Sequence, residues 1–193
     1  MGVGDATAKT PRLVAPAVDF HASFLDALAE YQAEGRHLEL PADLLADPGE
    51  FARYVAALRA DVDHPGEPVR YVAALGGASE PEPWPDGYVP QSTYWWAAGG
   101  EYLGRLALRH RLTPHTRVEG GHIGYEVRPS ARRRGHATAM LATALPLAAA
   151  LGIVLVHLDC EDDDLASRRV IEKNGGRLER RERGSLYFLV PTR

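Results

Sequence analysis

The run Val127-Arg128-Pro129-Ser130-Ala131-Arg132-Arg133-Arg134-Gly135-His136-Ala137-Thr138 has the residue types of an anion site. A helix start leaves several backbone N–H groups unpaired and carries the positive end of the macrodipole, so it attracts a phosphate without help from any side chain. Gly135 and Ala137 keep the approach to such a backbone open, and Arg132, Arg133 and Arg134 raise the local positive potential. The chemistry on offer is a grip on a diphosphate; an ordinary strand-loop-helix with solvated arginines has the same local pattern. Groups able to move protons flank the loop: His122 and Glu126 precede it and Asp159 follows it.

These residues need elements to hold them. His122-Ile123-Gly124-Tyr125-Glu126-Val127 has the β-branched and aromatic content of a strand, and Pro129, which has no N–H to give a ladder, ends its pairing. Alternation puts His122, Gly124 and Glu126 on one face and Ile123, Tyr125 and Val127 on the other. After Gly135 the apolar residues Ala137, Met140, Leu141, Ala144, Leu145, Ala148 and Leu151 recur three and four apart, which predicts a helix from Gly135 to Gly152. Pro146 lies inside it and should bend or interrupt it. A second strand is expected over Ile153-Val154-Leu155-Val156-His157-Leu158-Asp159-Cys160, then a helix from Asp164 to Asn174.

With loop, helix, strand and helix in this order, the chain resembles the GNAT acetyltransferase superfamily. The cofactor loop of that superfamily reads Arg or Gln, two residues, Gly, one residue, Gly or Ala, and is matched here by Arg132, Gly135 and Ala137. Asp164-Leu165-Ala166-Ser167 and Asn174-Gly175 are similar to its Asn-x-x-Ser helix and terminal Asn-Gly. The resemblance runs from about Tyr94 to Val190 and is closer to a bacterial branch carrying Leu108-Arg109-His110-Arg111-Leu112 and Gly120-Gly121-His122-Ile123-Gly124-Tyr125. It implies an α/β (α+β) fold: a mixed, mostly antiparallel twisted sheet of about six or seven strands, splayed in the middle and flanked by about four helices.

It also implies acetyl-CoA as cosubstrate and a primary amine as acceptor, joined through a tetrahedral intermediate. The diphosphate would meet the backbone from Arg134 through His136 and Ala137 to Thr138, whose hydroxyl is a further donor. The pantetheine arm would lie along the strand ending at Val127, with the N–H of Val127 or a neighbour facing the thioester oxygen. Asp164 stands where the family prefers asparagine; ionised, it accepts an amide hydrogen but cannot donate one.

Acyl transfer needs a base for the amine, because an amine of lysine type stays protonated below about pH 10. Glu126, Asp159 and His122 are the candidates, with Glu126 and Asp159 expected to approach one splayed cleft. The departing thiolate needs a proton or a hydrogen bond. Many family members place a tyrosine seven residues after the motif asparagine; that position here is Ile171, which leaves Ser167, then Tyr187 on the last strand, as candidates.

Composition agrees. A chain of 193 residues with 45% hydrophobic content can form one sizeable core, and no run of apolar residues is long enough to span a bilayer. The N-terminus lacks a signal-peptide pattern, and a single cysteine, Cys160, fits a reducing cytoplasm and excludes a thiolate-rich metal site; no metal is expected. A net charge of −4 argues against a general nucleic-acid binder. The acidic run Glu161-Asp162-Asp163-Asp164 either caps the following helix or attracts a cationic amine.

From the start of the chain, residues 1–10 are expected to be disordered and 11–193 to form a single domain. Leu13-Val14-Ala15-Pro16 reads as a first strand. Phe20, Phe24, Leu28 and Tyr31 make one face of a helix that Gly35 ends, and Phe51, Tyr54, Val55 and Leu58 make the stripe of another, Pro48 to Ala60, capped by Asp47. Residues 61–90, with six prolines, read as a surface loop, and two strands around Gly99-Gly100 as a hairpin. The neighbours Trp95 and Trp96 point to opposite sheet faces, one into the core and the other toward a cleft. The favoured reading is an N-acetyltransferase acting on a small-molecule or peptide amine; the alternative is an acyl-CoA-binding sensor or partner protein with little turnover. Exposed C-terminal strands leave room for a homodimer.

Overall fold

Gly99 and Gly100, both at positive φ, turn the chain between two strands, β2 (Gln91–Ala98) and β3 (Glu101–Arg109), which pair antiparallel from Gln91↔Arg109 to Ala98↔Glu101. The structure, a computed structural model, describes residues 10–77 and 87–193. β1 (Arg12–Val14) lies against β2, and β4 (Ile123–Val127) against β3, giving an antiparallel sheet in the order β1-β2-β3-β4. β5 (Leu155–Glu161), β6 (Arg177–Glu182) and β7 (Ser185–Pro191) form a second antiparallel sheet, β5-β7-β6. This is the splayed mixed α and β architecture that the resemblance implies.

Helices cover both faces. Trp95 and Trp96 do point opposite ways, and both are core residues. Trp95 packs with Phe24 of α1 (His21–Ala33), Phe51 of α3 (Pro48–Ala60) and Tyr102. Trp96 joins Met140, Leu141 and Ala144 of α6 (His136–Ala150), Ile171 of α7 (Leu165–Lys173), and Phe188. The strand period of two therefore divides the interior into two clusters with the first sheet between them. Short α2 (Ala42–Leu45) and α5 (Pro114–Val118) complete the connections.

α3 begins as its cap predicts, with the Glu50 N–H donating to Asp47 Oδ1 at 2.9 Å. The expected loop over residues 61–90 is corrected: it contains α4 (Glu67–Leu75). Pro68 sits in the first turn, where its missing N–H costs nothing, and left-handed Gly66 donates its N–H to buried Asp61 at 2.7 Å. Pro146 does not interrupt α6, which runs on to Ala150 with the proline on its exposed side. The expected disordered start falls on residues 1–9, and the loop prolines Pro81, Pro83 and Pro85 on 78–86, outside the described residues apart from Thr10.

Candidate active site

The two sheets meet at one point. The His122 N–H donates to the His157 carbonyl at 2.8 Å, and the His157 N–H donates to His122 Nδ1 at 3.0 Å. Gly121 makes the approach feasible: a Cβ there would lie 2.3 Å from the His157 oxygen. Gly120 is held by its left-handed backbone at φ +89; a Cβ there would meet the movable end of Arg109, whose Nη1 donates to the Gly121 carbonyl at 2.8 Å. The glycine pair, His122 and Arg109 thus form a seam. Burial first, then the charges of His157, Arg117 and Arg109, push the His122 imidazole down to about 4, so it stays neutral and keeps Nδ1 as an acceptor.

Beyond the seam β4 and β5 belong to different sheets, and a split opens between them. Arg109 N–H bonds to His122 O and Arg128 N–H to Leu103 O, so the alternate residues Ile123, Tyr125 and Val127 turn their main-chain groups away from β3, toward the split. A strand-like ligand can pair with that edge.

At the far end of β4 the chain enters a short 3-10 turn, Pro129–Ala131, passes Arg133 at φ +62, and starts α6 from Gly135 at φ +83. The helix's first bond runs from Ala139 N–H to Gly135 O, so the N–H groups of His136, Ala137 and Thr138 have no intrahelical partner. The space above Gly135 is open: a methyl group there would have no heavy atom within 4 Å. This cradle and the adjoining split fit a diphosphate carried on an extended arm, as in coenzyme A.

The three arginines differ. Arg132 is a strut: its Nε donates to the Val127 carbonyl at 3.1 Å, and both Nη atoms reach Glu34 at 2.8 Å. Arg133 and Arg134 are exposed and pair with no carboxylate among the described residues. His136 Nδ1 accepts the Trp96 indole N–H at 3.2 Å, fixing the helix start on β2. Asn174 Nδ2 donates to the Thr138 carbonyl at 3.2 Å and so ties α7 to the same turn.

On the other face of β4, Gly124 and Glu126 line a cavity of about 780 Å³ together with Arg36, His37, Tyr54, Arg105 and α4 residues. Glu126 is caged. Arg105 Nε donates to Oε1 at 2.6 Å, Arg36 Nη2 to Oε2 at 2.9 Å, and His37 Nε2 lies 2.8 Å from both oxygens. Burial alone would raise this carboxyl, but the His37 hydrogen bond and the charges of Arg105, His37 and Arg36 outweigh it and hold it at about 2. An ionised carboxylate only accepts, so Nε2 carries the hydrogen toward Glu126, while Nδ1 stands 3.3 Å from the exposed carboxylate of Glu39. Arg36, His37 and Arg105 were invisible to motif reading. His37 stands at φ +54, a strained conformation for a non-glycine residue, four residues past the end of α1.

The remaining candidates are scattered. Asp159 is not among the residues lining this cavity; it receives the Gly120 N–H beside Arg109, at the base of the seam, and burial raises its pKa. Glu126 and Asp159 are not brought together. Tyr187 donates its hydroxyl to the Val118 carbonyl at 3.1 Å and lies under the Arg180 guanidinium, committed to the α5 side. Asp164 caps α7, its Oδ1 accepting the N–H groups of Ala166 and Ser167 at 3.1 and 2.9 Å. Ser167 is half-buried at that helix start, and its carbonyl lies 3.4 Å from the Tyr125 hydroxyl, which reaches across from β4. Ile171 is a core residue, so the family's tyrosine position holds packing instead of a hydroxyl.

The model of the Acetyltransferase (GNAT) family matches residues 30–176, spanning the caged glutamate, the cofactor loop and α7. The chain belongs to that family. It is an acyltransferase whose cosubstrate is acetyl-CoA. Among solved structures it is similar to RimJ of Mycobacterium smegmatis in complex with CoA-disulfide, at 18% identity over 95% of this chain and 83% of that one, with a TM-score of 0.62. It is also similar to the ribosomal L7/L12 alpha-N-protein acetyltransferase RimL, at 16% identity over 94% and 90%, with a TM-score of 0.56. The Microcin C7 self-immunity acetyltransferase MccE, in complex with acetyl-CoA and AMP, matches at 9% identity over 98% and 99%, with a TM-score of 0.57. These likenesses carry the fold. No curated protein matches the chain. No helix among the described residues is long and apolar enough to cross a membrane.

Proposed function

We propose that this acetyltransferase N-acetylates a primary amine of a small molecule or peptide that enters the cavity faced by Gly124 and Glu126. The carrying observation is that β4 is shared: one edge borders the split that suits the thioester arm, while one face lines the 780 Å³ cavity. Acetyl-CoA supplies the acyl group as a thioester. The N–H groups of Tyr125 and Val127 are positioned to hold its oxygen and the charge that develops there.

We assign the base to His37 rather than to Glu126. A carboxylate held near 2 is a weak proton acceptor at neutral pH, whereas the His37 imidazole lines the cavity, anchored through Nε2 on Glu126, with Nδ1 on the exposed Glu39 side, a contact an entering amine would displace. Ser167, with Tyr125 on the facing strand, supplies hydroxyls for the departing sulfur. RimL, of the same fold, is an alpha-N-protein acetyltransferase, which supports an amine acceptor. The test is amine-dependent thiol release across amino acids, polyamines, aminoglycosides and peptide N-termini. Turnover with one class, reduced about 10²- to 10⁴-fold by His37→Gln with acetyl-CoA binding retained, is expected. Tight cofactor binding with no acceptor would favour a sensor.

A further inference from the structure

We infer that the acceptor is an amine carrying an anionic group, a carboxylate or phosphate, gripped by Arg105 and Arg36 beside Glu126. The inference rests on the amine-acetylating reading of the same cavity. Two arginines share one buried carboxylate, so Glu126 offsets only one of their two charges, and Glu39, on the far side of His37, is exposed and solvated. The two guanidinium groups therefore present positive charge at the cavity wall.

The free valences point the same way. Arg105 uses only Nε on Glu126, so among the described residues both its Nη atoms have no acceptor. Arg36 uses only Nη2. Both side chains line the cavity and remain open to it, 42% and 48% exposed, although Glu126 between them is 7% exposed. A guanidinium anchored through one nitrogen presents its remaining N–H groups as a planar fork, which matches the two oxygens of a carboxylate or phosphate. A purely structural salt bridge would turn that fork onto the glutamate; here the glutamate's capacity is divided among three donors.

Position adds a size argument. Arg105 is the cross-strand partner of Glu126, two residues from Gly124 on the same face, a spacing of about 6–7 Å along a strand. An anion held there stands close to an amine at the β4 edge, as in amino acids, short aminoalkyl phosphates, or a peptide whose first residues are acidic. The acidic end of the cavity, where Asp61 accepts from Gly66 and Gln91, is already hydrogen-bonded internally.

The test compares matched acceptors: amino acids against their amides, and aminoalkyl phosphates against the corresponding amino alcohols. The free anion of at least one pair should exceed its neutral partner by tenfold or more in kcat/KM, and which pair does so separates carboxylate from phosphate. Arg36→Ala should raise KM for the anionic acceptor about tenfold more than for its neutral partner; Arg105→Lys, which keeps the charge but not the fork, should shift that ratio in the same direction. Equal use of anionic and neutral amines, or preference for polyamines with Arg36→Ala silent, would overturn the inference and leave the acetyltransferase reading standing. Absence of thiol release with every amine, while acetyl-CoA still binds, would overturn both.

Discussion

At the scale of single residues, the Gly120-Gly121-His122 run is explained by a seam. Gly121 combines φ +54 with a Cβ position 2.3 Å from a backbone oxygen, so Gly121→Ala must move β4 away from β5. A loss of at least about 2 kcal/mol is expected, read as a lower thermal midpoint. A chemically similar change at Gly124, where open space surrounds the position, provides the control. His122 supplies a pH test. Its folded value of about 4 lies below the ordinary one near 6.5, so the unfolded chain takes up the proton first. Its contribution is complete above pH 6.5 and disappears as pH falls through 4, on the order of 3 kcal/mol. His122→Asn, which retains an acceptor without titrating, should flatten stability across that window in denaturant melts.

At the scale of elements, α1 connects the loop before α6 with the cavity faced by Glu126. Glu30 accepts from Arg128 and from the Ser130 N–H and hydroxyl, and Glu34 takes both Nη atoms of Arg132. Two and three residues beyond Glu34, Arg36 and His37 close on Glu126. Removing one carboxylate from this brace should loosen the loop more than it unfolds the protein, because the Arg132–Glu34 pair is partly exposed. Glu34→Gln is expected to weaken acetyl-CoA binding about two- to fivefold, or ~0.5–1 kcal/mol, in calorimetry. Gly135→Val should weaken it far more: the substitution strains a left-handed position and places a side chain where the diphosphate belongs. Unchanged affinity in that variant would remove the phosphate site from this loop.

At the scale of the whole molecule, two hydrophobic clusters and two sheets are joined through a narrow seam. A ligand that pairs with the open edge of β4 bridges what the protein alone leaves apart. Acetyl-CoA at a hundred times its Kd should therefore stabilise the fold by about 2.7 kcal/mol, seen as a concentration-dependent rise in thermal midpoint. A midpoint indifferent to acetyl-CoA would contradict binding in the split.

Much of this was legible in the order of residues. The 3.6-residue period after Gly135, the two-residue period through Tyr125 and Trp95, the Asp47 cap and the glycine turns are short-range signals, because each depends on neighbours within a turn or a strand. They determined the helix start at Gly135, the strand before it and the family. α4 was missed because prolines mask a helix whose first turn tolerates them. Tertiary structure alone decided the chemistry of Glu126: its partners Arg36 and His37 lie 90 and 89 positions away, and no periodicity reports which side chains a fold brings to one carboxylate. Charge, tautomer and acceptor preference are properties of that three-dimensional neighbourhood, since Coulomb and hydrogen-bond energies depend on distance in space, whereas turns, caps and strand faces depend on distance along the chain.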